Sequence, residues 1–354
     1  ITAGIETTAV SGKWLDHCNK MDLIIVPSEH SKKGFVDSVY DKLQQMPDGS
    51  QQNVGSLKLE KPIEVLFEGT DTEVYRKTDV INDNINELFD TIKEDFTFLL
   101  VGQWTGGGFG EDRKDIGTTI KTFYESFANK KEKPALILKT NGATYSIMDR
   151  EDILSKIKNI KSMFPSDWEL PNVYLLHGDL SKEEMNSLYN HPKVKVMVSL
   201  THGEGFGRPL LEATMVGLPV IASGWSGHVD FLSENDSMLL PGKLENIPKS
   251  QVWNDILIPE SQWVNVDLNV VYKALNYCHK NIKEFKSKAK NLMYINRKKF
   301  SLSRMVTKLD EIIEKHTHNI PTQVGLQLPK LKKVGSGEKP KLELPKLKKI
   351  TEKV

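Results

Sequence analysis

Cysteine and long apolar runs are scarce in this chain of 354 residues. The two cysteines, Cys18 and Cys278, exclude a framework of several disulfides and are typical of a reducing compartment, so we expect a cytoplasmic location. No apolar run reaches the length of a transmembrane helix, and we expect no signal peptide. Neither sign of charge dominates, because 48 Lys and Arg balance 47 Asp and Glu, and the net charge of +1 argues against a general binder of nucleic acids or other polyanions.

From residue 96 onward the chain has a regular alternation of apolar strands and helical patterns. We expect strands at 96–102, 135–140, 173–177, 194–200 and 219–222, and helices near 115–130, 149–163, 181–190 and 208–217. Continuous apolar strands separated by helices indicate an α/β fold with a parallel sheet covered on both faces. Ligands of such sheets bind at the carboxyl ends of the strands.

The flanking segments are less regular. Before residue 96 we expect two short strands at 22–28 and 63–67, a polar loop or weak helix at 41–60, and a linker with a polar helix at 79–94. Three helical segments close the globular part, near 267–280, 282–297 and 301–316.

The composition changes from Asn319 onward. The sequence LQLPKLKKV at 326–334 recurs as LELPKLKKI at 342–350, and residues 321–354 carry nine Lys against three Glu. Such a basic, Pro-containing segment is typical of a disordered, solvated tail. The alternative is a twofold docking motif for an acidic partner or a membrane surface, in which two copies add avidity and hold the protein at the membrane periphery.

The most informative stretch is SLTHGEGFGRPLLE at 199–212, where an apolar strand runs into a turn with three glycines and then into a helix. Pro209 suits the first helical position, where no N–H bond is needed. Free backbone N–H groups and the dipole at the start of this helix favour an anion such as a phosphate. Glu204 and Glu212 stand beside this point, where they are suited to accept hydrogen bonds from sugar hydroxyls. A nucleotide-sugar needs both an anion site and acceptors for its sugar hydroxyls. The simpler alternative is an ordinary βαβ unit with glutamates on its surface.

This pattern resembles the Glu-x7-Glu motif of retaining glycosyltransferases with the GT-B fold, specifically glycosyltransferase family 4. The match continues through LPVIAS at 218–223, which is similar to the family's next strand, and GWSG at 224–227, which is similar to the following loop. The resemblance covers residues 1 to about 316. It implies two Rossmann-like domains that face a cleft, a nucleotide-diphosphate sugar as donor substrate, and no metal or other cofactor.

The resemblance also implies roles for residues of the motif. Glu212 is similar to the family residue that binds the ribose hydroxyls. Glu204 is similar to the one that contacts hydroxyls of the transferred sugar, and it counts among the candidate catalytic residues. Gly205, Phe206 and Gly207 would offer backbone N–H groups to the sugar and the diphosphate.

The loop after the first strand of the alternation is GQWTGGGFG at 102–110, followed by EDRKD, and its glycines lack the spacing of a dinucleotide fingerprint. Members of the family carry an Arg directly after this strand and a Lys several residues later, both facing the donor diphosphate. Lys114 matches the Lys, which makes it a candidate catalytic residue, and its alternative is a solvated lysine at the start of a helix. The Arg position holds Gln103, a neutral amide, and Arg113 is the candidate to replace the missing charge.

Two further positions follow neighbouring strands. Lys139 stands where some relatives place a residue near the nucleotide, and its alternative is an ordinary strand-end lysine. His177 ends a strand that lies near the nucleotide base in many relatives. For His177, and for His202 before the motif turn, the alternative is a structural histidine.

The first residues resemble the later half of the family's acceptor domain. Glu6 would face the donor sugar across the cleft as a third candidate catalytic residue, and its alternative is a strand-end Glu that caps a helix. The first strands of that domain are not in this sequence, so we expect a fragment, or a second chain that supplies the missing half. The expected organisation is a partial acceptor-side domain with linker, a donor-binding domain, C-terminal helices of which the last crosses back to the first domain, and a basic tail, at 1–88, 89–265, 266–316 and 317–354.

The function that these observations predict is transfer of a sugar, with retention of configuration, from a nucleotide-diphosphate sugar to a hydroxyl of a carbohydrate, lipid or protein acceptor. An alternative from another class is a non-catalytic nucleotide-sugar-binding or scaffold protein whose tail is the functional element. A phosphorylase or epimerase on the same two-domain fold is a weaker alternative, because neither a cofactor lysine setting nor epimerase motifs are evident.

Overall fold

The structure, a computed structural model, describes residues 1–2 and 4–317. Its amino-terminal part contains α1 (Gly12–Cys18), β1 (Ile24–Val26), α2 (Glu29–Asp37), β2 (Tyr40–Gln45), β3 (Gln51–Leu57) and β4 (Ile63–Val65). Strands β1 and β4 pair in parallel. A small core that includes Leu15, Val26 and Phe35 holds these elements together, and all three side chains are almost completely buried.

The prediction of a loop or weak helix at 41–60 is wrong, because β2 and β3 form an antiparallel hairpin there. Its tip is a tight turn in which Gly49 has a φ of 84° and Asp48 accepts a hydrogen bond from the N–H of Ser50 at 2.9 Å. Both strands are exposed along almost their whole length. Without a buried face their sequence has no apolar alternation, which is the signal that identifies a strand.

The next part of the chain builds a six-stranded sheet. Its elements are α3 (Asp83–Asp90), β5 (Thr97–Gln103), α4 (Ile116–Phe127), β6 (Ala135–Asn141), α5 (Ile147–Lys161), β7 (Val173–Leu176), α6 (Lys182–Asn190), β8 (Val194–Ser199), α7 (Arg208–Met215), β9 (Val220–Ser223) and β10 (Met238–Leu240). The strand order is β10-β9-β8-β5-β6-β7, and every neighbouring pair is parallel. The expected parallel α/β fold is therefore confirmed.

The sheet is buried on both faces because its strands are apolar on both sides. In β5, Phe98 and Leu100 join one apolar cluster, whereas Leu99 between them joins the other. Successive side chains of a strand point to opposite faces, so this division places one core on each side of the sheet. Each of the three side chains is at most 2% exposed.

The remaining elements are β11 (Gly242–Asn246), β12 (Gln262–Val266), α8 (Leu268–Lys280), α9 (Ile282–Lys299) and α10 (Leu302–Thr317). Helix α10 returns to the amino-terminal part, as expected, since Lys315 and His316 contact Glu64 at 2.6 and 2.9 Å. None of the helices in the described part is long and apolar enough to cross a membrane. The basic tail with its two LPKLKK copies lies outside the described residues.

Candidate functional site

The turn between β8 and α7 lies at the carboxyl edge of the sheet, where ligands of parallel sheets bind. Gly207 precedes the helix with a φ of 97°, a left-handed conformation that suits glycine. Pro209 is the second helical residue rather than the first, and its missing N–H is equally harmless there. No described residue accepts a hydrogen bond from the backbone N–H groups of Gly205, Phe206 or Gly207. The start of α7 therefore keeps donors for an anion.

Four charged side chains from three segments converge beside this turn. Glu204 forms an ion pair with Lys114 and a second with Arg113, whose Nη1 lies 3.3 Å from Glu204 Oε2. The same Nη1 donates a hydrogen bond to the carbonyl oxygen of Gly203 at 3.1 Å, and Nε of Arg113 lies 3.7 Å from Glu6 Oε1. The structure thus brings together the three candidate catalytic residues and the predicted replacement for the missing Arg.

Burial divides the cluster into an inner and an outer pair. The side chains of Lys114 and Glu204 are 10% and 8% exposed, which excludes the alternative of a solvated lysine. Those of Arg113 and Glu6 are 25% and 28% exposed. Gln103, at the position where the family carries an Arg, ends β5 and has an exposed, neutral side chain. The positive charge beside Glu204 comes instead from Arg113.

The two carboxylates of the cluster differ in their pKa values. Burial acts to raise the pKa of Glu204, but the charges of Lys114 and Arg113 outweigh it and lower this pKa to about 2. Burial raises the pKa of Glu6, and Arg113 only partly opposes it. The cluster therefore holds Glu204 as a carboxylate and leaves Glu6 as the group that takes up a proton more readily.

Glu212 lies apart from this cluster, on α7, and is 7% exposed. It accepts a hydrogen bond from the Tyr189 hydroxyl at 3.3 Å, and Nη2 of Arg208 lies 3.4 Å from its Oε1. Burial raises the pKa of Tyr75, and the nearby charge of Glu212 raises it further. Burial also raises the pKa of Glu212, while Arg208 acts to lower it. Neither tyrosine was predicted, since a single Tyr in a linker or helix belongs to no motif.

A second polar group lies at the ends of β6 and β7. Nζ of Lys139 donates to the carbonyl oxygen of Gly178 at 2.6 Å, and Nε2 of His177 lies 2.9 Å from Asp149 Oδ2. Asp149, which was not predicted, also accepts a hydrogen bond from the N–H of Gly142 at 2.9 Å. Adjacent strands are about 4.8 Å apart, so β6 places this group roughly 10 Å from the turn after β8.

The contacts of His202 are those of a structural histidine rather than of a ligand-binding one. Its Nδ1 lies 2.8 Å from the carbonyl oxygen of Val264, and its Nε2 lies 3.3 Å from that of Gly110. The ring is 2% exposed and stacks on Trp263 with a centroid distance of 4.4 Å. His202 therefore ties the loop after β5 to β12. In the described part of the chain, no three His, Cys, Asp or Glu residues are grouped so as to hold a metal ion.

The first residues pack directly on the motif turn. A Cβ atom added to Gly4 would lie 2.6 Å from the Cα of Gly205, and one added to Gly203 would lie 1.8 Å from the carbonyl oxygen of Glu6. The hydroxyl of Ser28, which caps α2, donates to the carbonyl oxygen of Gly205 at 2.6 Å. Glycine is needed at these contacts because no side chain fits between the two backbones.

Part of the chain matches a known protein family. Residues 166–244 match the family described as Glycosyl transferases group 1. The matched segment includes Glu204, Glu212 and His177, whereas Glu6, Arg113 and Lys114 lie outside it. Those three residues join the site only through the fold.

Solved structures of GT-B glycosyltransferases share the fold of this chain. Sucrose-phosphate synthase from Thermosynechococcus elongatus matches with a TM-score of 0.57 and 15% identity, over 85% of this chain and 60% of its own. Anabaena HepE in complex with UDP and glucose matches with a TM-score of 0.55 and 14% identity, over 86% and 68%. Trehalose-6-phosphate synthase OtsA matches with a TM-score of 0.55 and 12% identity, over 88% and 63%. No curated protein sequence is significantly similar to this chain.

Proposed function

We propose that this chain acts as a retaining glycosyltransferase, which moves a sugar from a nucleotide-diphosphate sugar to a hydroxyl of a carbohydrate, lipid or protein acceptor. The proposal is carried by the convergence of Arg113, Lys114, Glu204 and Glu6 on the turn before α7, at the carboxyl edge of the sheet. Cations, carboxylates and a helix N-terminus at one point suit a substrate that has both a diphosphate and sugar hydroxyls.

The diphosphate gains negative charge as it leaves, and two sets of groups would stabilise it. Arg113 is the more exposed cation, and a guanidinium has further N–H groups for phosphate oxygens besides those that face Glu204 and Gly203. Lys114 adds a second charge behind it. The backbone donors of residues 205–207 supply fixed hydrogen bonds. With such donors in place we propose that transfer requires no metal ion or other cofactor.

The proposed proton transfer does not use Glu204. A pKa of about 2 keeps Glu204 ionised, whereas a general acid or base works best with a pKa near the operating pH. Glu204 would instead accept hydrogen bonds from the transferred sugar. The leaving phosphate oxygen would take the proton of the acceptor hydroxyl on the same face, so the new bond would keep the anomeric configuration. Glu6 would contact the sugar from the amino-terminal side.

The nucleotide would extend from this cluster along the sheet edge. Glu212 would exchange the hydroxyl of Tyr189 for ribose hydroxyls. Lys139 and His177, at the ends of β6 and β7, would lie near the base. Uracil is the first base to test because HepE forms complexes with UDP and with UDP-glucose.

The test is release of UDP and transfer of glucose from UDP-glucose, with Arg113→Gln as the variant. We expect kcat to fall about 100-fold or more, because the variant loses a charge that faces the diphosphate. Arg150→Gln is the matched control, since Arg150 pairs with Glu151 on the exposed surface of α5. Equal rates for Arg113→Gln and the wild type would refute the role of the cluster. A product with inverted anomeric configuration in the NMR spectrum would refute retention.

A non-catalytic nucleotide-sugar-binding protein is the second candidate. The packing of Gly4 and Glu6 against the turn favours it, because these residues cover Gly203 and Gly205, where the sugar would lie. Binding of UDP-glucose without release of UDP, in the presence of simple sugar acceptors, would support this candidate.

We also propose that the protein resides in the cytoplasm. Cys18 and Cys278 are both free and buried, which is consistent with a reducing compartment. Association of the basic tail with an acidic partner or a membrane surface remains a prediction from the sequence.

A further inference from the structure

A cavity of about 490 Å³ lies at the opposite edge of the main sheet from the motif turn. Val194 at the start of β8 and Pro219 just before β9 line it, so it belongs to the amino edge. Its floor is apolar and buried, with Val194, Val216 and Leu218 at most 6% exposed. Volumes of this size are typical of small-molecule sites.

Four lysines from three different segments surround this cavity. Lys77 comes from the linker before α3, Lys195 from β8, and Lys286 and Lys290 from α9. Lys195 donates a hydrogen bond to the carbonyl oxygen of Pro192, and none of the four forms an ion pair with a described residue. None of the described residues that line the cavity is acidic.

The lysines repel one another across the cavity. Desolvation lowers the pKa values of Lys77 and Lys195, and the charge of Lys286 lowers both further. Asp79 and Asp95, which do not line the cavity, only partly oppose these effects. Like charges four residues apart on a helix, such as those on α9, also destabilise it slightly. The stability of the fold does not explain this concentration of unpaired positive charge at a concave, apolar site.

We propose that this cavity binds a small phosphorylated molecule that also carries an apolar or aromatic part. A phosphate ester brings a charge of roughly −1.5 to −2 and would relieve the repulsion among several lysines, which a single carboxylate would do less completely. Ammonium groups bind phosphate oxygens as point charges without a required geometry. The apolar floor, together with Met293 and the exposed ring of Tyr294 at the rim, would hold the rest of the molecule.

The cavity is connected to the proposed donor site through one side chain. Tyr189 lines the cavity, and its hydroxyl is the one that donates to Glu212 at 3.3 Å. Gly217, directly beyond the helix that carries Glu212, lines the cavity as well. A bound phosphate compound would therefore change the affinity for the donor. This coupling rests on the proposed function, whereas binding at the cavity does not.

The test uses naphthyl phosphate as the probe, titrated by calorimetry into the full chain. The variant Lys286→Glu/Lys290→Glu reverses two charges at the rim, and we expect it to bind the probe about 10-fold more weakly or worse. Lys283→Glu/Lys299→Glu is the matched control, because it makes the same charge change on α9 at exposed lysines that do not line the cavity. This control should bind the probe as the wild type does.

A second arm separates a free phosphate compound from a lipid headgroup. Vesicles of phosphatidylcholine with and without phosphatidic acid replace the probe, and cosedimentation is measured. Loss of either kind of binding in Lys286→Glu/Lys290→Glu alone would support the cavity and identify its source of phosphate. Equal binding by this variant and its control, or no binding by the wild type, would overturn the proposal. The UDP-glucose affinity of the variant without probe should match the wild type, so failure of the donor site would be recognised separately.

Discussion

Replacing Lys114 by Met tests the charge cluster most severely. Met keeps an unbranched apolar stem and removes the ammonium group, so the buried Glu204 retains only Arg113 as a close cation. Removing one partner of a buried ion pair typically costs 3–5 kcal/mol, because the other charge stays buried without compensation. Since Arg113 remains 3.3 Å away, we expect a loss at the lower end, about 3 kcal/mol.

The lowered pKa of Glu204 corresponds to a stabilisation of the same size. A folded-state pKa of about 2 against an ordinary value of 4.5 corresponds to about 3 kcal/mol at 1.36 kcal/mol per unit. Because the folded-state pKa is lowered, this stabilisation is present above about pH 4.5 and is lost as the pH falls toward about 2. Without Lys114 most of this pH dependence should disappear.

The assay is urea unfolding followed by circular dichroism at pH 7 and at lower pH, for the wild type and Lys114→Met. Lys121→Met is the control, since Lys121 pairs with Glu125 on α4 and both side chains are partly exposed. This substitution should lower the free energy of unfolding by less than about 0.5 kcal/mol. If Lys114→Met lost no more stability than this control, or kept the full acid dependence of the wild type, the buried cluster described here would be refuted.

Three other substitutions test residues in and beside the site. Burial raises the pKa of Asp115 to about 7, so its ionisation opposes folding as the pH rises from about 4 to about 7. Asp115→Asn should therefore raise the free energy of unfolding at pH 8 by up to about 4 kcal/mol, measured by urea unfolding. No gain there would contradict its burial. Gly203→Ala would meet the carbonyl oxygen of Glu6 and should cost about 2 kcal/mol or more, visible as a lower Tm; an unchanged Tm would contradict the close packing. Tyr189→Phe removes the hydroxyl that donates to Glu212 and should cost about 1 kcal/mol in urea unfolding, and no loss would contradict that hydrogen bond.

The sequence predicted the main sheet because its strands are apolar on both faces. The run around Phe98, Leu99 and Leu100 is continuous for this reason, and such runs between helical patterns are specific for a parallel α/β fold. The hairpin of β2 and β3 escaped prediction because it buries neither face. Strands β10, β11 and β12 were also missed, and β11 is exposed along its whole length.

The site was predictable where residues belong to a local motif. Glu204, Gly207 and Glu212 follow from one strand-turn-helix segment whose geometry is set by neighbours in sequence. Burial and the charge of Glu212, which lies 137 positions away in the chain (212 minus 75), both raise the pKa of Tyr75, and nothing in the surrounding sequence indicates this proximity. Long-range partners of this kind become visible only when the fold places them together.

Calorimetric titration of UDP-glucose into the wild type and Glu212→Gln tests whether the start of α7 binds a nucleotide-sugar donor. Glutamine keeps the size of the side chain and can still accept from the hydroxyl of Tyr189, but it lacks the charge that would bind ribose hydroxyls most strongly. We expect saturable binding by the wild type and binding weakened about 10-fold or more in the variant. Binding of equal strength in both proteins would contradict the donor site, as would no binding in the wild type.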